Sequence, residues 1–177
     1  AVECLLQNID GNLKSEPRVI KFTTGRREQL WSKNCVSIGL ASGFLEPLES
    51  TSMHMVQTAV ARLIKLFPHM GIKASEVAEY NRQTIDEMEH VRDFIILHYV
   101  LNEREEPFWQ ACKSMAIPDT LRHKIELFQE SAKVFNSTDA LFSDVAWQQV
   151  MIGQGVMPRD YHPIANSLSE QQLSEWL

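Results

Sequence analysis

The segment from residue 42 to residue 52 is the clearest candidate for chemistry in this chain. It reads Ser-Gly-Phe-Leu-Glu-Pro-Leu-Glu-Ser-Thr-Ser, so Glu46 and Glu49 stand in an otherwise apolar stretch that Pro47 constrains. A carboxylate buried without a partner is strongly destabilising. The segment therefore predicts a site at which these glutamates meet a ligand or a partner group.

The three hydroxyl residues that end this segment precede a helical pattern, so they are predicted to lie at a helix N-terminus. The free N–H groups of Thr51 to Met53 would point outward there, where the helix dipole adds positive potential. Such a terminus accepts a phosphate, a carboxylate or a halide. A plain Ser/Thr cap on a core helix explains the same residues, and both interpretations stay open on this evidence.

A second candidate is the acidic turn at residues 102–106, which leads into the adjacent aromatic residues Phe108 and Trp109. These rings could sandwich a planar substrate, and a neighbouring carboxylate such as Glu105 could bind an ammonium group. The alternative is an ordinary interhelical loop whose aromatic side chains pack as core.

Glu87 and His90 form a Glu-x-x-His motif, which two helices of a di-iron bundle each carry. The motif occurs once here, so we predict a charged helix face and no metal site. The local ion pairs expected on this face include Arg82 with Asp86, and Glu89 with Arg92.

Two further features have simple structural interpretations beside functional ones. Gly153-Gln154-Gly155 lacks the third glycine and the preceding strand of a dinucleotide site, so it predicts a turn after a helix. His98 lies on an apolar helical stripe, which is typical of a hydrogen-bonded core histidine but is also compatible with a role in catalysis.

The elements that must position these residues are two or three strands followed by helices. We predict strands at Arg18–Thr24, ended by Gly25, and at Cys35–Leu40, then a structured loop to Glu49. The predicted helices run from about residue 52 to Phe67, and over 75–99, 107–115, 118–133, 140–152 and 169–177. The first is predicted to bury Met53, Val56, Val60, Leu63, Ile64 and Phe67. The second is predicted to bury Val77, Tyr80, Thr84, Met88, Val91, Ile95 and His98.

Composition excludes several classes of protein. The 177 residues carry a net charge of −6 without a basic block, which argues against nucleic acid or an anionic membrane as the main partner. No apolar run approaches the roughly 20 residues of a membrane span. The three cysteines form no Cys-x-x-Cys motif, which favours a reducing, cytoplasmic location.

The stretch from Asn34 to Ser52 resembles the central signature of the flavin-dependent tryptophan halogenases. Further matches keep the family's order along the chain. They are Gly25-Arg26-Arg27 with Trp31, Tyr80-Asn81, Ile85 to Glu89, Arg92 to Tyr99, Pro107-Phe108-Trp109, and Gly153-Gln154-Gly155 with Pro158. The resemblance covers almost the whole chain and implies that it is the C-terminal part of a longer enzyme.

Members of this family use reduced FAD, O₂ and chloride or bromide to form hypohalous acid, and a lysine and a glutamate deliver the halogen to an aromatic substrate. A separate flavin reductase supplies the FADH₂. The family's dinucleotide fingerprint and its lysine belong upstream of the segment matched here, so this chain alone is expected to be inactive.

The resemblance implies that Glu49 is the catalytic glutamate and that Ser50 links the substrate and flavin sites. The implied halide and flavin contacts are Thr51, Ser52, Gly43 and Pro47. The implied substrate contacts are Phe108, Trp109, His98 and Glu105. Many members have glycine in place of Ser52, which leaves the choice between chloride and bromide open.

The expected fold is α+β and predominantly α. Residues 1–52 would belong to an FAD-binding, monooxygenase-like domain and carry the halide and flavin loop, and residues 53–177 would form the helical substrate-binding region. Tryptophan, indole or a larger aromatic molecule is the expected substrate, and a homodimer is left open. Two alternatives are a related FAD-dependent aromatic monooxygenase and a non-catalytic helical binding module.

Overall fold

The computed structural model describes residues 2–11, 13–169, 171, 172 and 174. The helices in this part of the chain are α1 Val2–Gln7, α2 Ser52–Lys65, α3 Ala74–Val100, α4 Pro107–Lys113, α5 Asp119–Ser131 and α6 Asp144–Gly153. The strands are β1 Gly25–Arg26, β2 Trp31–Ser32, β3 Cys35–Val36 and β4 Gly43–Phe44, and short 3₁₀ helices span Gly39–Ala41, Leu48–Ser50 and Pro163–Ser167. The predicted α+β fold, predominantly α, is confirmed.

Helix α3, with 27 residues, is the axis of the fold. At 1.5 Å per residue it is about 40 Å long, and it begins and ends within one residue of its predicted bounds. Five of the predicted stripe positions are fully buried, namely Tyr80, Thr84, Met88, Val91 and Ile95. Asp93, Phe94 and Leu97 are buried as well, because other elements cover α3 on more than one side.

The C-terminal half of α3 packs against α5 and α6. The residues of this core cluster are Phe94, Leu97, Leu121, Ile125, Phe128, Val134, Trp147, Met151 and Val156. Phe94 also stacks on Phe142 with ring centroids 3.8 Å apart. This cluster fixes the turn of α3 that carries His98.

The N-terminal half of α3 holds the short strands through one side chain. The carboxamide oxygen of Asn81 accepts hydrogen bonds from the backbone N–H groups of Leu30 and Trp31, both at 2.8 Å. Its Nδ2 donates to the carbonyl of Trp31 at 2.9 Å. Leu30 and Trp31 are buried against Tyr80 and Met88, so the β2–β3 hairpin is fixed to α3 by both polar and apolar contacts.

The strand predictions were only partly right. Residues 18–24 form no strand, and Val19, Ile20 and Phe22 are exposed. A strand needs a hydrogen-bonded neighbour as well as β-branched side chains, and the described residues provide none for this segment. Gly25 begins β1 instead of ending a strand, and the predicted strand at Cys35–Leu40 is limited to Cys35–Val36 before a 3₁₀ turn.

The buried face predicted for α2 was wrong in large part. Met53, Ile64 and Phe67 are 70% or more exposed. The residue of α2 that is fully buried is Ala59. The face of α2 that packs on α3 carries both apolar residues and the charged Arg62. Arg62 contacts Glu87 there, since a charge that leaves water needs a partner.

The later helices and the turn agree with prediction. Helices α4, α5 and α6 begin and end within about four residues of the predicted bounds. Gly155 has a φ of 82°, and its N–H donates to the carbonyl of Ile152, which confirms the turn after α6. The helix predicted over 169–177 falls mostly outside the described residues.

The Glu-x-x-His pair of α3 is divided between two neighbouring helices. Glu87 contacts Arg62 and His54 of α2, whereas the His90 ring packs 5.4 Å from the ring of Trp147 in α6. The described residues contain no group of three or more His, Cys, Asp or Glu placed to hold a metal ion.

The ion pairs on the outer face of α3 follow the predicted pattern at one end only. Arg82 binds Asp86 at 2.8 Å, as predicted. Glu89 binds Arg26 of β1 at 2.8 Å, and Arg92 binds Asp93 instead.

No helix among the described residues is long and apolar enough to cross a membrane.

Replacing Arg62 by Met should lower the free energy of unfolding by about 3 kcal/mol, measured by urea denaturation, because Glu87, whose side chain is only 14% exposed, would lose its main partner. The Arg62 guanidinium also bonds Gln83 and Thr84, so these polar groups lose a partner too. The double variant Arg62→Met, Glu87→Leu removes both charges and should recover much of the loss. Unchanged stability in the single variant would contradict this account.

Candidate active site

The loop that carries the two glutamates is anchored at its start by strand pairing. β4 pairs antiparallel with β1, with Gly43 opposite Arg26. A Cβ on Gly43 would lie 2.6 Å from the carbonyl oxygen of Gly25 and 2.8 Å from the Cα of Arg26. Gly43 is therefore required for the close approach of the strands, and its assignment to the flavin stays a prediction.

Glu49 and Ser50 both adopt the left-handed backbone conformation. Pro47 opens a 3₁₀ turn, and the Ser50 N–H donates to the Pro47 carbonyl at 2.9 Å. The φ angles are 65° at Glu49 and 51° at Ser50. This conformation costs a residue with a Cβ roughly 1–2 kcal/mol. Such strain is concentrated at functional sites, where the surrounding structure holds it in place.

The start of α2 lacks a side-chain cap. Thr51 is the N-cap residue, yet its side chain makes no capping hydrogen bond. The Thr51 side chain is only 2% exposed, and its hydroxyl finds no hydrogen-bond partner among the described residues. The cap interpretation is therefore wrong for this helix, and its first N–H groups and a buried hydroxyl remain available to an anion.

Glu49 faces His98 of α3. Its Oε1 lies 3.3 Å from the Nε2 of His98, and both side chains are partly shielded from water. The other ring nitrogen of His98, Nδ1, lies 2.8 Å from the carbonyl oxygen of Phe94, one turn earlier in α3. His98 therefore fits both interpretations. Its Nδ1 contacts a backbone carbonyl of α3, as in a core histidine, and its Nε2 lies beside a glutamate of the candidate site.

Glu46, the other glutamate of the loop, is bound by the next residue of α3. The Tyr99 hydroxyl lies 2.9 Å from both carboxylate oxygens of Glu46 and donates to this carboxylate. Burial, and then this hydrogen bond, raise the pKa of Tyr99 to about 12. The phenol therefore stays protonated at neutral pH and remains a donor.

A cleft of about 460 Å³ opens beside this pair. The residues that line it are Thr24, Gly25, Leu45, Glu46, Arg92, Ile95, Ile96, Tyr99, Cys112 and Met115. It has the size of a small-molecule site, with apolar walls and a few polar groups.

The two aromatic residues of α4 pack against Tyr99 at the end of α3. The Trp109 ring is stacked with Tyr99 at 5.8 Å, whereas Phe108 is perpendicular to Trp109 at 5.0 Å. Phe108 and Trp109 therefore do not form two parallel walls around a third ring. Phe108 is exposed and free to contact a ligand.

The acidic turn before α4 also carries Arg104, whose positive charge lies over the Trp109 ring. The Arg104 guanidinium lies 5.3 Å from the centroid of the Trp109 ring. Glu105 is exposed in the same turn. An ammonium site at Glu105 stays a prediction.

The fold brings the predicted loop next to His98. Phe108 and Trp109 both pack against Tyr99, the residue after His98. Sequence reasoning predicted a partner for Glu46 but did not identify it as Tyr99, and it missed the apolar wall of the cleft formed by Ile95 and Ile96. The signal available for them was weak, since it consisted of a second glutamate in the loop and a His-Tyr pair at the end of a buried stripe.

Solved flavin-dependent halogenases share this architecture. Xcc4156 from Xanthomonas campestris is 46% identical with a TM-score of 0.89, over 98% of this chain and 35% of that one. BrvH from Brevundimonas sp. BAL3 is 41% identical with a TM-score of 0.89, over 99% of this chain and 36% of that one.

Within the flavin-dependent halogenases, comparison of sequences identifies the family to which this chain belongs. The family model described as tryptophan halogenase matches residues 1–170, so the chain belongs to the tryptophan halogenase family. The tryptophan 6-halogenase SttH of Streptomyces toxytricini is 35% identical over 147 residues, which are 80% of this chain and 28% of SttH. The chain thus spans about a third of the length of these relatives.

Replacing Ser50 by Val should lower the free energy of unfolding by about 1–2 kcal/mol, because a β-branched side chain disfavours the positive φ at this position. Ser50→Gly should cause no such loss, since glycine adopts this conformation without strain. Thermal or urea unfolding of both variants tests this. Ser52→Val, at the first residue of α2 where φ is not positive, is the matched control and should change stability less than Ser50→Val does.

Proposed function

We propose that this chain is the C-terminal, substrate-facing part of a flavin-dependent halogenase that halogenates a small aromatic molecule. The observation that carries the proposal is the loop before α2, where a strained glutamate, a strained serine and a buried, unpartnered threonine hydroxyl follow one another at an uncapped helix start. Membership of the tryptophan halogenase family supports it.

The start of α2 fits a halide ion. Thr51 offers a buried hydroxyl without a partner, and Thr51 and Ser52 offer backbone N–H groups at the positive end of the helix dipole. A chloride or bromide ion accepts hydrogen bonds from such donors. We infer that Thr51 and Ser52 hold the halide, and we leave the choice between the two ions open.

Residues 1–52 would form part of an FAD-binding, monooxygenase-like domain, and residues 53–177 the helical substrate-binding region. Pro47 and Gly43 would lie on the flavin side of the loop, and Ser50 between the flavin and substrate sites. When bound, reduced FAD supplies the reducing equivalents with which O₂ and a halide give hypohalous acid and water. A separate flavin reductase would provide the reduced FAD.

Glu49 would orient the electrophilic halogen towards the substrate and accept the proton that the aromatic ring loses. Such work needs a carboxylate fixed in position but no covalent bond to the protein. The left-handed backbone at Glu49 and the contact with His98 both restrict where this carboxylate points.

The cleft beside Tyr99 would take the aromatic substrate. Its walls are mainly apolar, its size suits an indole or a larger ring system, and Glu46 at its side favours a ligand with a cationic group. Phe108 would contact the substrate directly, and Trp109 would support the cleft through its stack on Tyr99. We keep His98 and Glu105 as further candidates for substrate contact.

The full-length enzyme tests the proposal. It is incubated with a flavin reductase, NADH, FAD, O₂ and bromide over a panel of indoles, and the products are examined by mass spectrometry. A bromine isotope doublet that depends on bromide is the expected result. Hydroxylated products would identify a monooxygenase instead, and the absence of turnover over the panel would favour a binding module.

Glu49→Gln should lower the rate of halogenation about 100-fold or more, because the amide is neutral and cannot accept the proton. Oxidation of reduced FAD should continue at its usual rate, measured from the absorbance of the flavin. The matched control is Glu130→Gln, an exposed glutamate of α5, which should leave both rates unchanged. Loss of flavin oxidation together with halogenation in Glu49→Gln would refute this role for Glu49.

A further inference from the structure

Three side chains on one face of α2 converge on a single carboxylate of α3. His54, Thr58 and Arg62 follow one another at a spacing of four residues, so they form a row along the helix. The Thr58 hydroxyl donates to the Oε2 of Glu87 at 2.9 Å, and the Nη2 of Arg62 donates to the same oxygen at 3.1 Å. The Nε2 of His54 lies 3.5 Å from the other oxygen of Glu87. We call Thr58, Arg62 and Glu87 the Glu87 cluster.

The Glu87 cluster is largely shielded from water and well supplied with hydrogen bonds. The side chains of Arg62 and Glu87 are 13% and 14% exposed. The Arg62 guanidinium also donates to the Gln83 Oε1 at 3.1 Å and to the Thr84 hydroxyl at 2.8 Å. Among the residues that the structure describes, every side-chain hydrogen bond between α2 and α3 involves Thr58 or Arg62.

Apolar packing alone would fix the register of α2 on α3 only loosely. The fully buried residue of α2 is Ala59, whose side chain is a single methyl group, and Met55, Leu63 and Leu66 are partly buried. Burial of apolar surface has no directional preference. Hydrogen-bonded charges that are shielded from water can select one register over its neighbours. The rotation and the axial position of α2 therefore depend on the Glu87 cluster.

The position of α2 decides where the donors at its start point. These donors are the N–H groups of Thr51 and Ser52 and the Thr51 hydroxyl, which is buried and has no partner among the described residues. Thr58 lies two helical turns, or about 10 Å, from Thr51. We propose that Glu87 is a positioning residue for the halide: by binding Thr58 and Arg62 it sets the register of α2 and aims these donors. The inference rests on the function proposed for Thr51 and Ser52.

A stable variant without the Glu87 cluster tests this role in the full-length enzyme. Arg62→Met, Glu87→Leu removes both charges together, so much of the stability should be retained, but the hydrogen bonds that select the register are gone. KM for bromide should rise about 10-fold, as expected when an ion loses one hydrogen bond, and KM for indole should stay nearly unchanged. Chloride affinity, measured without turnover from the broadening of the chloride NMR signal, should fall by a similar factor. A folded double variant with the halide affinity of the parent would overturn the proposal.

Thr58→Val keeps the proposal testable if the double variant does not fold. This change removes one hydrogen bond to Glu87 and no charge, and it should raise KM for bromide about two- to fivefold. Thr138→Val, at an exposed position, is the matched control and should leave this KM unchanged. An unchanged KM for bromide in Thr58→Val would then contradict the role of Glu87.

Glu87→Gln separates an effect of register from an effect of charge. Both donors bind the same oxygen of Glu87, so the amide oxygen of glutamine can accept both hydrogen bonds. KM for bromide in Glu87→Gln should therefore stay within about twofold of the parent value. A marked fall would mean that the charge of Glu87 acts on the halide directly, and a rise equal to that of the double variant would mean that the hydrogen bonds do not matter. Either result would overturn the proposal.

The two kinds of measurement separate the failures. If the parent enzyme does not halogenate, but binds chloride with an affinity that falls in the double variant, the proposed function fails and the role of Glu87 stands. If the parent halogenates and the folded double variant keeps its halide affinity, the function stands and the present inference fails.

Discussion

Two carboxylates in the loop between β4 and α2 are held by two consecutive side chains of one helix. His98 faces Glu49, and Tyr99 donates to Glu46. Both contacts depend on the position of α3, which is itself fixed by α5 and α6 at one end and by the β2–β3 hairpin and α2 at the other. The packing on either side of α3 therefore sets where the two carboxylates of the loop find these partners.

The same dependence explains how the chain tolerates backbone strain. Two successive residues with a Cβ at positive φ cost roughly 1–2 kcal/mol each. The pairing of β4 with β1 fixes the loop before these residues, and the contact of Arg62 with Glu87 fixes α2 after them. A segment held at both ends cannot relax without breaking one of these anchors, so the strain is retained where the carboxylate has to point in one direction.

The sequence predicted those features that depend on local patterns. The bounds of α3, most of its buried stripe and the turn at Gly155 follow from periodicity and from glycine, because each is decided within a few residues. The strand predicted at residues 18–24 and the buried face of α2 failed for the opposite reason: each depends on which distant segment lies opposite. The pairing of Glu49 with His98 joins residues 49 positions apart, and no local pattern specifies it. The residue types of the loop and the family resemblance both predicted a site there, whereas its contacts with α3 are visible only in the structure.

The two glutamates of the loop also bear on how an anion could bind at the start of α2. Thr51 follows Glu49 by two residues, so a halide at the start of α2 would lie close to a negative charge, and like charges a few ångströms apart repel by about 1 kcal/mol in water and by several kcal/mol where water is excluded. Tyr99 leaves the charge of Glu46 in place, since a phenol with a pKa of about 12 donates a hydrogen bond but carries no positive charge. We therefore expect a negative potential at Glu46, beside the cleft that this residue lines.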